Sequence, residues 1–133
     1  MAQFTFGSYL RDLRKAKNPP MTQEMIAKKI GRQKMTISQF EQGKNAPPQG
    51  DLLDKIILAL ALSSEEEQKL RYLAAVSRNA VPSDISDYFF SNPAICDVIR
   101  TAKQNGYSNT DWEKIEISLS QAGKRYIKRT NDV

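Results

Sequence analysis

The stretch from Thr22 to Gly43, TQEMIAKKIGRQKMTISQFEQG, constrains this chain more than any other. Thr22 carries the hydroxyl that caps a helix start, and Met21 and Ile26 stand at the spacing that staples its entrance. The helix stops at Gly31, the residue that adopts a left-handed conformation without a Cβ penalty. A second helix, roughly Gln33 to Gln42, puts Ile37 and Phe40 on one face and polar residues on the other. Ala27 has no bulk beyond Cβ, so the two helices can cross closely there.

Small residue, glycine turn and paired apolar anchors together describe a helix-turn-helix. The pattern Gln23, Ala27, Gly31, Ile37, Phe40, Glu41, Gly43 resembles the Cro/C1-type (XRE) helix-turn-helix family of phage repressors, from about Phe6 to Leu62. The resemblance implies a compact five-helix domain that sets its second motif helix in the major groove of double-stranded DNA. The plainer reading of the same residues is a helical hairpin built only for packing.

The remaining elements follow from periodicity. Phe6, Tyr9, Leu10 and Leu13 predict an amphipathic helix over roughly Thr5 to Lys17, ended by Asn18-Pro19-Pro20. This connection is about two residues longer than the family usually has. GKNAPPQGD reads as a loop, after which a helix starts at Asp51 or the preceding glycine with Leu53, Ile56, Ile57 and Leu60 inward. Ser63-Ser64 followed by Glu65-Glu66-Glu67 caps a fifth helix to about Arg78, with Leu70, Leu73, Ala74 and Val76 inward. Asn79 to Ser83 breaks the pattern. The expected division is a DNA-binding domain over 1–78 and a helical C-terminal region over 79–133, giving an all-α protein.

Three helical segments are expected in that region. Ile85, Tyr88 and Phe89 form one short apolar face. Pro93 opens a helix carrying Ile95, Val98, Ile99 and Ala102 as far as Gly106. Ser108 or Asn109 caps the last, in which Trp112, Ile115, Leu119, Ala122 and Tyr126 step by three and four as in a heptad seam. That seam is a candidate dimerisation surface, and local core is the competing assignment.

Composition narrows the function. The chain has no histidine and a single cysteine, Cys96. It therefore lacks the commonest general base and zinc ligand, every Ser-His or Cys-His pair, and any intrachain disulfide. The acidic residues are scattered or clustered at a helix start, and no GxxxxGK[ST] phosphate loop occurs. The expectation is no enzyme, no metal and no cofactor. The longest apolar run, Ile56 to Leu62, is too short to span a bilayer, and no leader opens the chain, so a cytoplasmic location is expected. Residues 1–62 hold ten Lys/Arg against five Asp/Glu, while residues 63–133 hold ten of each. The whole net charge of +5 thus lies in the helix-turn-helix half, as phosphate binding requires.

Carried over from the family, Lys34, Met35, Thr36 and Gln39 face base edges with Gln33 at the mouth. Arg32, Gln23, Gln42, Lys44 and Asn45 hold phosphates. Arg14 pairs with Glu41 and locks the first helix to the recognition helix. Where the family offers Ser or Thr to cap that helix, this chain has Arg32-Gln33-Lys34. The resemblance implies a transcriptional regulator, a repressor binding a palindromic operator as a homodimer, and the alternative is an antitoxin whose C-terminal half binds a toxin. An antirepressor or a protease is a further partner class. The basic tail from Lys124 to Arg129 is a candidate backbone contact.

Overall fold

A computed structural model describes residues 5–131, with side chains as far as residue 123. Every regular element among them is an α-helix: α1 (Phe6–Lys15), α2 (Gln23–Ile30), α3 (Lys34–Gln42), α4 (Gly50–Leu60), α5 (Ser64–Val76), α6 (Ser86–Ser91), α7 (Ala94–Gln104) and α8 (Asn109–Asn131). The all-α class expected from periodicity is the class observed. Two compact units divide between Ser91 and Asn92.

Local chemistry fixes the helix ends of the first unit. Thr5 Oγ1 accepts from the Ser8 N–H at 3.1 Å, and Thr22 Oγ1 from the Met25 N–H at 3.1 Å. Ser63 Oγ accepts from the Glu66 N–H at 3.2 Å while Glu66 Oε1 accepts from the Ser63 N–H at 2.9 Å, a closed capping box. That backbone donor, more than the Ser63 hydroxyl and Lys17, holds the Glu66 carboxyl below its ordinary 4.5. Gly31 and Gly43 end α2 and α3 in the left-handed region, at φ 70° and 74°.

The apolar faces of α1 to α5 then close on one core. Leu10, Ile26, Ile30, Ile37, Ile56, Leu60 and Leu70 are all but inaccessible to solvent, and each such side chain contributes about 1.5–3 kcal/mol of transfer free energy. Met21 and Ile26, the entrance staple, both lie in this cluster. α1 packs on α3 and α5, and α2 packs on α3 and α4. Phe6 and Phe40 meet edge to face with ring centroids 6.5 Å apart.

One close approach involves a residue with no periodicity signal. Gly7 of α1 faces the carboxyl end of α3, and a Cβ built on it would overlap the carbonyl oxygens of Phe40 and Glu41, the latter at 2.5 Å. The helix backbones approach so closely that only a hydrogen fits between them.

On α5 the inward set differs at one position. Val76 is 52% exposed, whereas Ala75 is buried. Val76 follows Leu70 by six residues and so points roughly 120° around the helix from it. Just after α5 the chain turns back at Asn79, φ 52°, and the Ala80 N–H donates to the Ala75 carbonyl at 3.0 Å. Arg71 secures the returning segment. Its guanidinium donates to Glu67 Oε1 at 3.1 Å, Asp54 Oδ1 at 2.8 Å and Ser83 Oγ at 2.9 Å. The residues just beyond 79, where the C-terminal region was expected to begin, are therefore fastened to the first unit, which also includes α6. The expected apolar face is split between this short helix and the turn before it: Ile85, in the turn, and Tyr88 are exposed and Phe89 is half-buried.

The second unit contains α7 and α8. Gly106, at φ 70°, makes the turn after α7, and the Tyr107 N–H donates back to the Ala102 carbonyl at 3.0 Å. Ser108 caps α8, its N–H donating to Asp111 Oδ2 at 2.8 Å. Ala102 is buried, and Trp112 lies edge-on to Tyr107 with centroids 6.2 Å apart. Along the expected seam Trp112 and Ile115 are half-buried, whereas Leu119, at 68%, and Ala122 are exposed. Tyr126 and the basic tail lie outside the described side chains.

Replacing Gly7 with alanine adds a methyl group against two fixed carbonyls. Urea denaturation of Gly7→Ala is expected to show a loss of about 1–3 kcal/mol. This outweighs the roughly 1 kcal/mol by which alanine is the better helix former.

Candidate nucleic-acid interface

Three helices are joined at one buried ion pair. Arg14, near the end of α1, donates from Nε to Glu41 Oε2 at 2.9 Å and from Nη2 to Glu41 Oε1 at 2.9 Å. The fork-on-fork geometry suits guanidinium and carboxylate alone. The third arm, Nη1, donates to the Met21 carbonyl at 3.0 Å, just ahead of α2. The longer connection is thus tied to α1 twice, since the Met21 N–H also donates to the Arg14 carbonyl at 3.1 Å. From the first turn of α2, Gln23 Nε2 donates to Glu41 Oε1 at 3.1 Å. The carboxylate side chain is only 3% accessible, and every polar atom it buries has a partner.

This clamp presents the opposite face of α3. Ile37 and Phe40 point into the core, Gln33, Lys34 and Met35 are exposed, and Thr36 and Gln39 are half-buried. Gln33 occupies the N-cap position with extended backbone and makes no side-chain cap. With no Ser or Thr hydroxyl at the cap, the N–H groups of Lys34 and Met35 receive no side-chain cap at the helix end where the dipole favours anions, while the Thr36 N–H donates to the Gln33 carbonyl at 3.0 Å. Arg32, Gln33 and Lys34 line a single groove with Glu24, Ala27 and Lys28 of α2, so that the cations Lys28, Arg32 and Lys34 and the Gln33 amide stand beside one carboxylate, Glu24. Arg32 donates to its neighbouring Gly31 carbonyl at 3.2 Å, which leaves its remaining donors turned out.

Three amides are already engaged within the protein. Gln23 serves Glu41, Gln42 Nε2 donates to Ser38 Oγ at 2.9 Å, and Asn45 Nδ2 donates to Gln39 Oε1 at 2.7 Å. Lys44, in the turn after α3, is exposed. The structure thus places Arg32 to Met35 exposed at the start of α3, Thr36 and Gln39 half-buried farther along it, Asn45 against Gln39, Lys44 exposed after the helix, and Gln23 turned toward the ion pair. The resemblance passed over Gly7, the Met21 carbonyl and Lys28. For Lys28 the signal was available, one turn before Arg32 on the same groove.

A family model described as a helix-turn-helix domain matches residues 5–70, and over those residues the chain is a helix-turn-helix domain. The match spans α1 to α4 and the first half of α5, the part of the chain that the clamp holds together. This is the architecture through which DNA-binding regulators dock on the duplex. No curated protein and no solved structure matches the chain. Among the described residues no cluster of His, Cys, Asp and Glu could hold a metal ion, and no helix is long and apolar enough to cross a membrane.

Removing one partner of the clamp strands a buried charge. Arg14→Met is expected to lower stability by about 3–5 kcal/mol in a thermal or urea melt. Arg14→Met combined with Glu41→Leu is expected to regain much of that loss, since no unpaired carboxylate remains.

Proposed function

We propose that the protein is a sequence-specific, double-stranded DNA-binding transcriptional regulator acting as a repressor. The observation that carries the reading is the outward face of α3. Lys34 and Met35 are exposed at the start of this helix, Thr36 and Gln39 follow half-buried within its first two turns, and the Arg14–Glu41 pair holds the helix near its other end. In a major groove, lysine donates to guanine O6 and N7, glutamine offers both a donor and an acceptor, and a methionine methyl meets the thymine methyl. Arg32 and Lys44 flank this face as phosphate contacts, with the open N–H groups at the start of α3 between them. The charge placement supports the same partner, since the entire excess of +5 falls in residues 1–62.

One recognition helix reaches too few bases for operator affinity, so the protein binds as a homodimer on palindromic half-sites about 34 Å apart. The second unit supplies the pairing surface through the outward part of α8, where Leu119 is exposed. A repressor then works by occupying the operator, and the protein performs no catalysis of its own.

Two measurements test this. Lys34, Thr36 and Gln39 changed together to alanine are expected to abolish selection of a site from random duplexes while leaving the fold intact, because each good base contact discriminates by about 1–3 kcal/mol. Binding by the parent should also weaken steeply with salt, as released counterions demand. A folded triple variant as tight and selective as the parent overturns the reading, and so does binding indifferent to salt. In sedimentation equilibrium the parent should associate to a dimer and Leu119→Glu should remain a monomer. Equal association by both removes α8 as the pairing surface.

A further inference from the structure

The turn that ends α3 brings a loop residue back onto the recognition face. Gly43 reverses the chain at φ 74°, and the N–H groups of Lys44 and Asn45 then reach the Gln39 carbonyl at 2.9 and 3.4 Å. The same reversal lays the Asn45 side chain beside that of Gln39, with Nδ2 donating to Oε1 at 2.7 Å. An amide side chain has one accepting end and one donating end. With Oε1 held by Asn45, the end of Gln39 left for an outside partner is Nε2 with its N–H donors.

Bases distinguish the two ends. In the major groove guanine presents two acceptors, N7 and O6, whereas adenine presents an acceptor at N7 and a donor at N6. A free glutamine pairs with adenine bidentately by using both ends. A glutamine whose oxygen already accepts from a neighbour is a better match to guanine. Its second lone pair still allows adenine, at a disadvantage.

We propose that Asn45 is a positioning residue that sets the base preference of Gln39, presenting it to the duplex as a donor and favouring guanine over adenine at the base pair it meets. The proposal rests on the functional reading above and deepens it. Asn45 on this account acts through Gln39, and its amide is not a phosphate grip. The hydrogen bond is local to one turn of chain, and the turn itself is made by Gly43 and backbone bonds. Replacing the side chain therefore leaves the path of the loop in place.

The test is selection from random duplexes with the full-length parent, Asn45→Ala, Asn45→Asp and Gln39→Ala, each checked for native helicity by circular dichroism. The parent is expected to prefer guanine over adenine about tenfold at one position of its half-site. Asn45→Ala and Gln39→Ala are expected to lose that preference at that position alone. An aspartate can only accept, so Asn45→Asp must take Nε2 of Gln39 and turn Oε1 outward. Its preference at the same position should move to adenine or cytosine, the bases with an exocyclic amine in the groove. Four results overturn the proposal: a consensus for Asn45→Ala identical to the parent's, a loss of affinity spread evenly over all positions, a parent preference for adenine where Gln39 acts, or an Asn45→Asp consensus that does not shift. A parent that enriches no sequence overturns the functional reading as well, whereas a parent consensus left unmoved by the Asn45 variants overturns this inference alone.

Discussion

The bidentate pair between Arg14 and Glu41 is the interaction on which the recognition face depends. Hydrophobic burial brings α1, α2 and α3 together, but burial is non-directional and leaves helices free to rotate by some degrees. A guanidinium with three arms engaged, on Glu41 twice and on the Met21 carbonyl once, has one geometry. Taking both charges from water is costly, and the pair is held by excellent alignment and by Gln23 as an additional donor. The return on that cost is orientation: Met35 and Gln39 lie on the side of α3 away from Glu41, and Lys34 stands exposed at the helix start.

Polar groups around the recognition face divide into those committed inside the protein and those left over. Gln23, Gln42 and Asn45 each donate to a neighbour, while Lys34, Gln33 and Met35 make no such tie and are exposed. Groups in the first class lose little freedom when a ligand arrives, because their ordering occurred on folding. Groups in the second can adapt to the partner. A face built this way combines a stiff frame with a few mobile contacts, and Gln39 belongs to the frame through Asn45.

What could be read in the residues alone was the part governed by short range. Thr22, Gly31, Gly43 and Ser63 act within a few residues of themselves, and their caps and stops are where local chemistry puts them. Leu53, Ile56, Ile57 and Leu60 follow one helical stripe, and all four are buried. The features that escaped are set by distant chain. Nothing around Gly7 announces that the carboxyl end of α3 will press on it, and nothing around Arg71 announces that Asp54 and Ser83 will accept from it. The amide partners of Gln23 and Asn45 have the same origin, since a side chain's polarity is written locally and its neighbour is not. The class of the site was therefore legible, whereas the division of labour among its amides needed coordinates. Likewise the stepped stripe on α8 was plain, yet Trp112 and Ile115 turn inward to their own unit while Leu119 does not.

Gly7 also has a consequence for how the recognition helix can move. With the carbonyls of Phe40 and Glu41 seated against a bare Cα, the end of α3 can come no nearer to α1. A stop of this kind indexes the helix, as a detent indexes a shaft. Any sliding of α3 by a fraction of a residue would lift the two backbones apart and open a void that no side chain is there to fill. The spacing between α1 and the end of α3 is thereby set by the smallest of side chains, a single hydrogen.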